Sequence, residues 1–151
     1  MLFLLFELGG ERYALDVRQI AEVLPLVPIK ALLDPPAGVT GVFHYRQQPI
    51  PVVDLSLLVL KEPTPVRIST RLVVVRCPNE NRLVGLIAEH ATDTIRREAS
   101  QFLPSGVGRG NALSAGPVTR DERGPIQLVD LSALLPATLR EQLFATAGAA
   151  G

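Results

Sequence analysis

Short apolar runs, broken again and again by glycine, proline or a pair of polar residues, set the rhythm of this chain. Runs of that length read as strands rather than helices. They predict strands over residues 2–8, 12–17, 40–45, 50–53, 71–77, 82–88, 93–97, 116–120 and 126–129. Between the first two stands Gly9-Gly10, a pair suited to a tight hairpin. The phase of Phe6, Leu8, Tyr13, Leu15 and Val17 then puts their side chains on one face. Residues 78–81, Pro-Asn-Glu-Asn, join a second pair in the same way. The 13 prolines and 12 glycines are spread along the chain, which leaves little room for long helices. The expected class is mainly β.

The two hairpins open two similar halves. PIPVVDLSLLV, starting at Pro49, returns as PIQLVDLSALL, starting at Pro125, with seven of eleven positions identical. Ala14-Leu15 aligns with Gly85-Leu86, so the halves run in parallel and an internal duplication explains both matches. A sheet of four or five short strands escapes its open edges most readily by curling, which predicts two small five-stranded β-barrels in contact, sharing apolar residues. The first covers roughly residues 12–66, and the second takes the remainder together with the N-terminal strand. A single domain over 1–146 follows, with a flexible tail at 147–151. The longest helix is expected over 137–145, with Pro136 at its first turn.

The recurring aspartate admits two readings. Two-lobed aspartic peptidases pair one carboxylate per lobe, and a glycine after the aspartate lets the two approach. Here leucines, Leu55 and Leu131, follow Asp54 and Asp130. Each aspartate also stands where a strand ends and an LSLL or LSAL segment begins, the place of a helix cap. Capping is the expected role, and no catalytic residue is assigned.

Composition narrows the partners. Fifteen basic and fifteen acidic residues cancel, so no global field draws the chain to nucleic acid or an anionic membrane. Cys77 is the only cysteine, which excludes an internal disulfide and a thiolate zinc site, and suits a cytoplasmic location. His44 and His90 lack the spacing of a metal motif, so no metal and no other cofactor is expected. SGVGRG at 105–110 lacks the Gly-Lys-Ser/Thr of a phosphate loop and reads as a connector. The opening MLFLLF is far shorter than the ~20 residues that span a bilayer and reads as a strand, not as direct membrane insertion.

Taken in order, FELGGERYALDV, IAEVLPLVPI, GVFHYRQQPIPVVDL, RLVGLIAEHATDTI and GPIQLVDLSALL resemble the CheW-like chemotaxis coupling proteins over almost the whole chain. The resemblance implies a non-enzymatic adaptor with two five-stranded barrels, linking a chemoreceptor's cytoplasmic tip to a histidine kinase regulatory domain. It also implies partner-binding roles for Ile20, Val42 and Ile87, at apolar positions near a receptor groove, and for Glu22 and Arg46, at the positions of a charged pair. The family's Gly-Val-x-Asn-Leu-Arg-Gly stands here as GVFHYRQ over 41–47, which keeps Arg46 but replaces the final glycine by Gln47. Its Asp-Leu-Arg is Asp54-Leu55-Ser56, and its Val-Asp is Ala88-Glu89. These departures point to a specialised signalling array. The alternative is a docking module that recruits a response regulator or a methylation enzyme without bridging a kinase.

Overall fold

The computed structural model describes residues 1–78, 80–104 and 116–150, with side chains to 145. The expected connector at 105–110 lies outside the described residues. Among the described residues ten strands run in chain order: β1 Leu2–Leu8, β2 Glu11–Asp16, β3 Ile20–Pro25, β4 Lys30–Ala31, β5 Val39–Tyr45, β6 Gln48–Asp54, β7 Arg71–Arg76, β8 Leu83–Arg96, β9 Val118–Asp121 and β10 Gly124–Leu128. Three α-helices accompany them, α1 Leu55–Leu60, α2 Leu131–Leu134 and α3 Ala137–Ala150. The mainly β expectation holds. The helix α3 starts where the proline set it and its backbone runs on to Ala150.

The ten strands form one hydrogen-bonded network with two lobes, joined by the long β8. One lobe orders β9-β10-β2-β1 and the second half of β8; the other orders β4-β5-β6, the first half of β8, β7 and β3. Among the described residues no ladder links β3 to β4, or β9 to β8, so these are curled open sheets rather than the closed barrels expected. The strands β3 and β4 escaped the sequence pattern because Pro25 and Pro28 interrupt it. The strand β3 tolerates its proline because it is an edge strand, paired with β7 alone. The two separate strands expected over 82–88 and 93–97 are one strand, in which His90 adopts φ 53° and the β1 pairing shifts register between Leu5 and Glu7. A bulge of this kind lets a strand bend out of one sheet into the next.

The duplication is exact in register but crossed in partnership. The hairpin β1–β2 is completed by β10, with Leu128 beside Ala14, and the hairpin β7–β8 by β6, with Val52 beside Gly85. Those two parallel pairings correspond, since Val52 and Leu128 occupy matching places in the VDLS phrases and Ala14 aligns with Gly85. Each half thus lends its opening hairpin to the closing strand of the other, so β2 pairs with β1 and β10 and lies in their lobe. At Gly85 a Cβ would stand 2.9 Å from Leu72 Cδ1 and 3.3 Å from Val52 Cγ2, which explains the glycine at this crossing. Gly9 and Gly10, at φ 59° and 80°, make the two-residue turn that the sequence predicted between β1 and β2.

Both faces of the β1–β2 hairpin are buried. Phe6, Leu8, Tyr13 and Leu15 enter a core with Val53, Leu86 and Leu131 that belongs to both lobes. Phe3, Leu5 and Ala14 enter a smaller core with Ile126 inside one lobe. Val52, Leu72 and Ile87 fill the other lobe. Truncating a fully buried leucine such as Leu15 to alanine costs about 2–5 kcal/mol in cores of this kind. No helix of the described residues is long and apolar enough to cross a membrane.

Candidate functional site

Asp54 and Asp130 both begin helices. Asp54 accepts from Leu57 N at 3.2 Å and from Thr64 N at 3.0 Å, and the Thr64 hydroxyl donates to it as well. Asp130 accepts from Ser132 N at 2.9 Å. The caps expected from the sequence are present, and Asp54 does more than cap, since it anchors the loop after α1 while only 6% exposed. Cys77 is buried, and burial, with Glu80 adding to it, pushes its thiol up to about 11. A thiol so raised stays protonated and is a poor nucleophile.

The charged pair inferred for partner binding is assembled by two edges of one lobe. Glu22 follows a register break in β3 between Ile20 and Glu22. Tyr45 ends β5, its ring packed in a cluster with Ile50 and Val74. Its hydroxyl donates to Glu22 Oε1 at 2.6 Å, and Arg46 Nη2 donates to the same oxygen at 3.2 Å. The Arg46 guanidinium carbon also lies 5.2 Å from the centre of the Tyr45 ring. Because its proton is held by the Glu22 carboxylate, the Tyr45 phenol is raised above its ordinary value.

The turn that carries Arg46 is unusual. Tyr45 pairs with Gln48, and the two residues between, Arg46 and Gln47, take φ 49° and 68°. Such a turn favours glycine or asparagine, and a left-handed residue with a Cβ costs about 1–2 kcal/mol. Arg46 is compensated by its contacts with Glu22 and Tyr45. Gln47 has left-handed backbone at the position where the family pattern carries glycine.

The other three inferred residues lie elsewhere. Ile20 is half-buried against the core common to both lobes and pairs with Val75. Val42 is 1% and Ile87 6% exposed, the first beside Lys30 and Pro51, the second beside Leu72 and Asp54. Burial leaves Val42 and Ile87 almost no surface to offer a partner, because each points into the interior of its lobe. Sequence reasoning missed Tyr45 as the third member of the charged cluster. An aromatic hydroxyl at a strand end, next to an arginine, was the signal available.

The family profile of the CheW-like domain matches residues 2–138, through both lobes and the crossed hairpins. The chain belongs to the CheW-like domain family. The chemotaxis protein CheW of Rhizobium meliloti is 27% identical over 139 residues, which cover 90% of this chain and 88% of that protein. The chemotaxis protein CheW of Klebsiella aerogenes is 24% identical over 103 residues, 68% of this chain, and the match spans 61% of that relative's length. The scaffolding protein TtCheW from Thermoanaerobacter tengcongensis has the same fold, with a TM-score of 0.78 at 21% identity, covering 91% of this chain and 89% of that one. The recognition of the CheW-like family from the order of phrases along the chain is borne out.

Proposed function

We propose that this CheW-like chain is a non-enzymatic signalling adaptor that couples the cytoplasmic tip of a chemoreceptor to the regulatory domain of a CheA-type histidine kinase, within a cytoplasmic chemosensory array. One observation carries the reading: the family profile runs through the two-lobed body, residues 2–138, and the match to the chemotaxis protein CheW of Rhizobium meliloti covers 90% of this chain and 88% of that protein. TtCheW, which has this fold, is named a scaffolding protein. The Glu22–Tyr45–Arg46 cluster supplies an ordered, partly exposed polar surface for the receptor.

As an ion pair, Glu22–Arg46 is worth only about 0–1 kcal/mol to folding, because Arg46 is 77% exposed. Charge reversal at Arg46 is expected to weaken receptor binding while the melting temperature moves little, whereas reversal at Glu22 also takes the acceptor from the Tyr45 hydroxyl and costs about 1–3 kcal/mol of stability; the double swap should recover part of the binding loss. Titrating the chain with kinase regulatory domain and then adding receptor fragment should give a ternary complex. Strict competition between the two, or binding of neither, would replace the adaptor by a docking module for a response regulator or a methylation enzyme.

A further inference from the structure

The β5–β6 turn and the β7–β8 hairpin enclose a cleft of about 420 Å³, walled by Ala21, Tyr45, Arg46, Arg76, Arg82 and Leu83 among others. Its charges do not cancel. Arg76 Nη1 donates to the carbonyls of Ile20 at 2.9 Å and Arg18 at 3.3 Å, neutral groups that fix the guanidinium without neutralising it. The Arg82 guanidinium carbon lies 4.8 Å from the centre of the Phe144 ring, a cation–π contact that seats that side chain against α3. Among the described residues neither Arg76 nor Arg82 has a carboxylate at ion-pair distance. Glu80, also on the wall, has its carboxylate 3.8 Å from Arg140 Nε, a cation largely covered by the fold. Arg46, Arg76 and Arg82 therefore line a concave site whose acidic wall residue, Glu80, already has a cation, while Arg46 alone among them is paired, with Glu22.

We infer that this cleft is a docking site for an acidic segment of a partner protein, with carboxylate side chains on Arg76 and Arg82 and an intervening apolar residue against Leu83 and the Tyr45 ring. Held guanidinium groups suit this chemistry, since a carboxylate takes two parallel N–H bonds from each and little side-chain freedom remains to be lost. A protein segment fits better than nucleic acid, because the cations ring one compact cleft on a chain of zero net charge and form no stripe along which a phosphate backbone would lie. The inference rests on the adaptor reading only in taking the occupant from a partner protein.

The test is a titration of the whole chain with the blocked peptide Glu-Leu-Glu-Glu, followed through the side-chain NMR signals of its arginines. Saturable binding is expected, weakened about threefold or more by Arg82→Gln and about tenfold by Arg76→Gln with Arg82→Gln. Raising the salt from about 20 to about 200 mM should weaken it further, as a short screening length requires. Should Arg76→Gln disturb β3, Arg82→Gln and Arg82→Glu decide alone, since Arg82 is exposed and its guanidinium lies over the Phe144 ring of α3. Peptide affinity that is unchanged in the Arg82 variants, or matched by Lys-Leu-Lys-Lys, overturns the inference. Equal affinity for inorganic phosphate makes the cleft a site for small anions, and tighter binding of oligo-dT, lost in the same variants, makes it a nucleic-acid site; either result overturns it too. If the peptide binds as expected while receptor and kinase fragments do not, the adaptor reading fails and the acidic-segment site stands.

Discussion

Replacing Asp121 by asparagine tests how the β9–β10 hairpin is held to the rest of its lobe. That hairpin meets β2 through a parallel ladder of only two residue pairs, Gln127 with Tyr13 and Leu128 with Ala14. Arg12 of β2 adds a second tie: its guanidinium grips both oxygens of Asp121, one through Nη1 at 2.9 Å, and Nη2 also donates to Gly124 O at 3.1 Å. The Arg12 side chain is 9% exposed, so a neutral asparagine leaves a nearly buried cation with one carbonyl and the more distant field of Glu7. Asparagine keeps an acceptor for Arg123 N, which now donates to Asp121 at 2.8 Å, so the local turn survives. A loss of about 2 kcal/mol is expected, less than for a fully buried pair because Asp121 is 24% exposed. In a chain of this length that lowers the melting temperature by about 4–8 °C.

The same pair fixes the sign of the pH dependence. Hydrogen bonds from Arg12 hold the Asp121 carboxyl well below the usual carboxylate range. Its contribution is therefore complete above the unfolded-state value of about 3.9, and falls by about 1.4 kcal/mol per pH unit as the pH drops below it toward the folded-state value. Melting curves of wild type and Asp121→Asn should differ most at neutral pH, and the gap should narrow by about 2–4 °C at pH ~3. A gap of the same size at both pH values would show that the loss comes from packing or from the turn, and the electrostatic account of Asp121 would fail.

Asp54→Asn should cost about 1–3 kcal/mol and Asp130→Asn less than about 1 kcal/mol, because only Asp54 is buried among three donors, and an amide turns a donor of its own toward them; equal shifts in urea midpoint would remove that distinction. Cys77 should resist iodoacetamide in the folded chain and react once it is unfolded. Because its thiol is raised to about 11, the stability it contributes is full below the unfolded value of about 8.5 and is lost as the pH climbs toward 11. Modification of the native protein at pH ~8 at the rate of a free thiol would contradict the burial. Gln47→Gly should raise the melting temperature, by about 1–4 °C for roughly 0.5–1 kcal/mol, since it relieves a left-handed backbone; a fall would mean that the Gln47 side chain contributes more than its backbone costs.

What was legible in the sequence follows from what alternation and turns can encode. The β1–β2 hairpin was readable because Gly9-Gly10 admits one tight turn and the phase of Phe6, Leu8, Tyr13 and Leu15 marks the face that enters the common core. The crossed partnership was not. Val52 and Val53, Leu72 to Val75, and Val84 to Ala88 are buried on both faces of their strands, so polarity does not alternate and nothing in the pattern says which strand lies beside which. The repeat announces that two hairpins and two VDLS strands are equivalent, and equivalence is satisfied equally by pairing within halves or between them. Steric detail accompanies the choice, a glycine at 85 and an alanine at 14 where each parallel strand crosses, and such detail becomes meaningful only when the neighbour is known.

The site divides along the same line. Glu22 and Arg46 came from family resemblance as an opposed pair, and their juxtaposition across 24 positions depends on β3 being an edge strand, which Pro25 and the nearby Pro28 concealed. Val42 and Ile87 came from the same resemblance, but an apolar residue in a strand carries no mark of whether it faces a partner or the interior, and here both are interior. Arg76 and Arg82 were invisible for a different reason. On a chain of fifteen cations and fifteen anions each arginine is expected to find a carboxylate somewhere, and only the placed side chains show Arg76 spent on carbonyls, Arg82 on an aromatic ring, and Glu80 turned to Arg140. Local excess charge on a neutral protein is thus a property of the fold. It concentrates where strand ends and turns from separate parts of the chain meet, and so the cleft between the β5–β6 turn and the β7–β8 hairpin has a field that the composition denies.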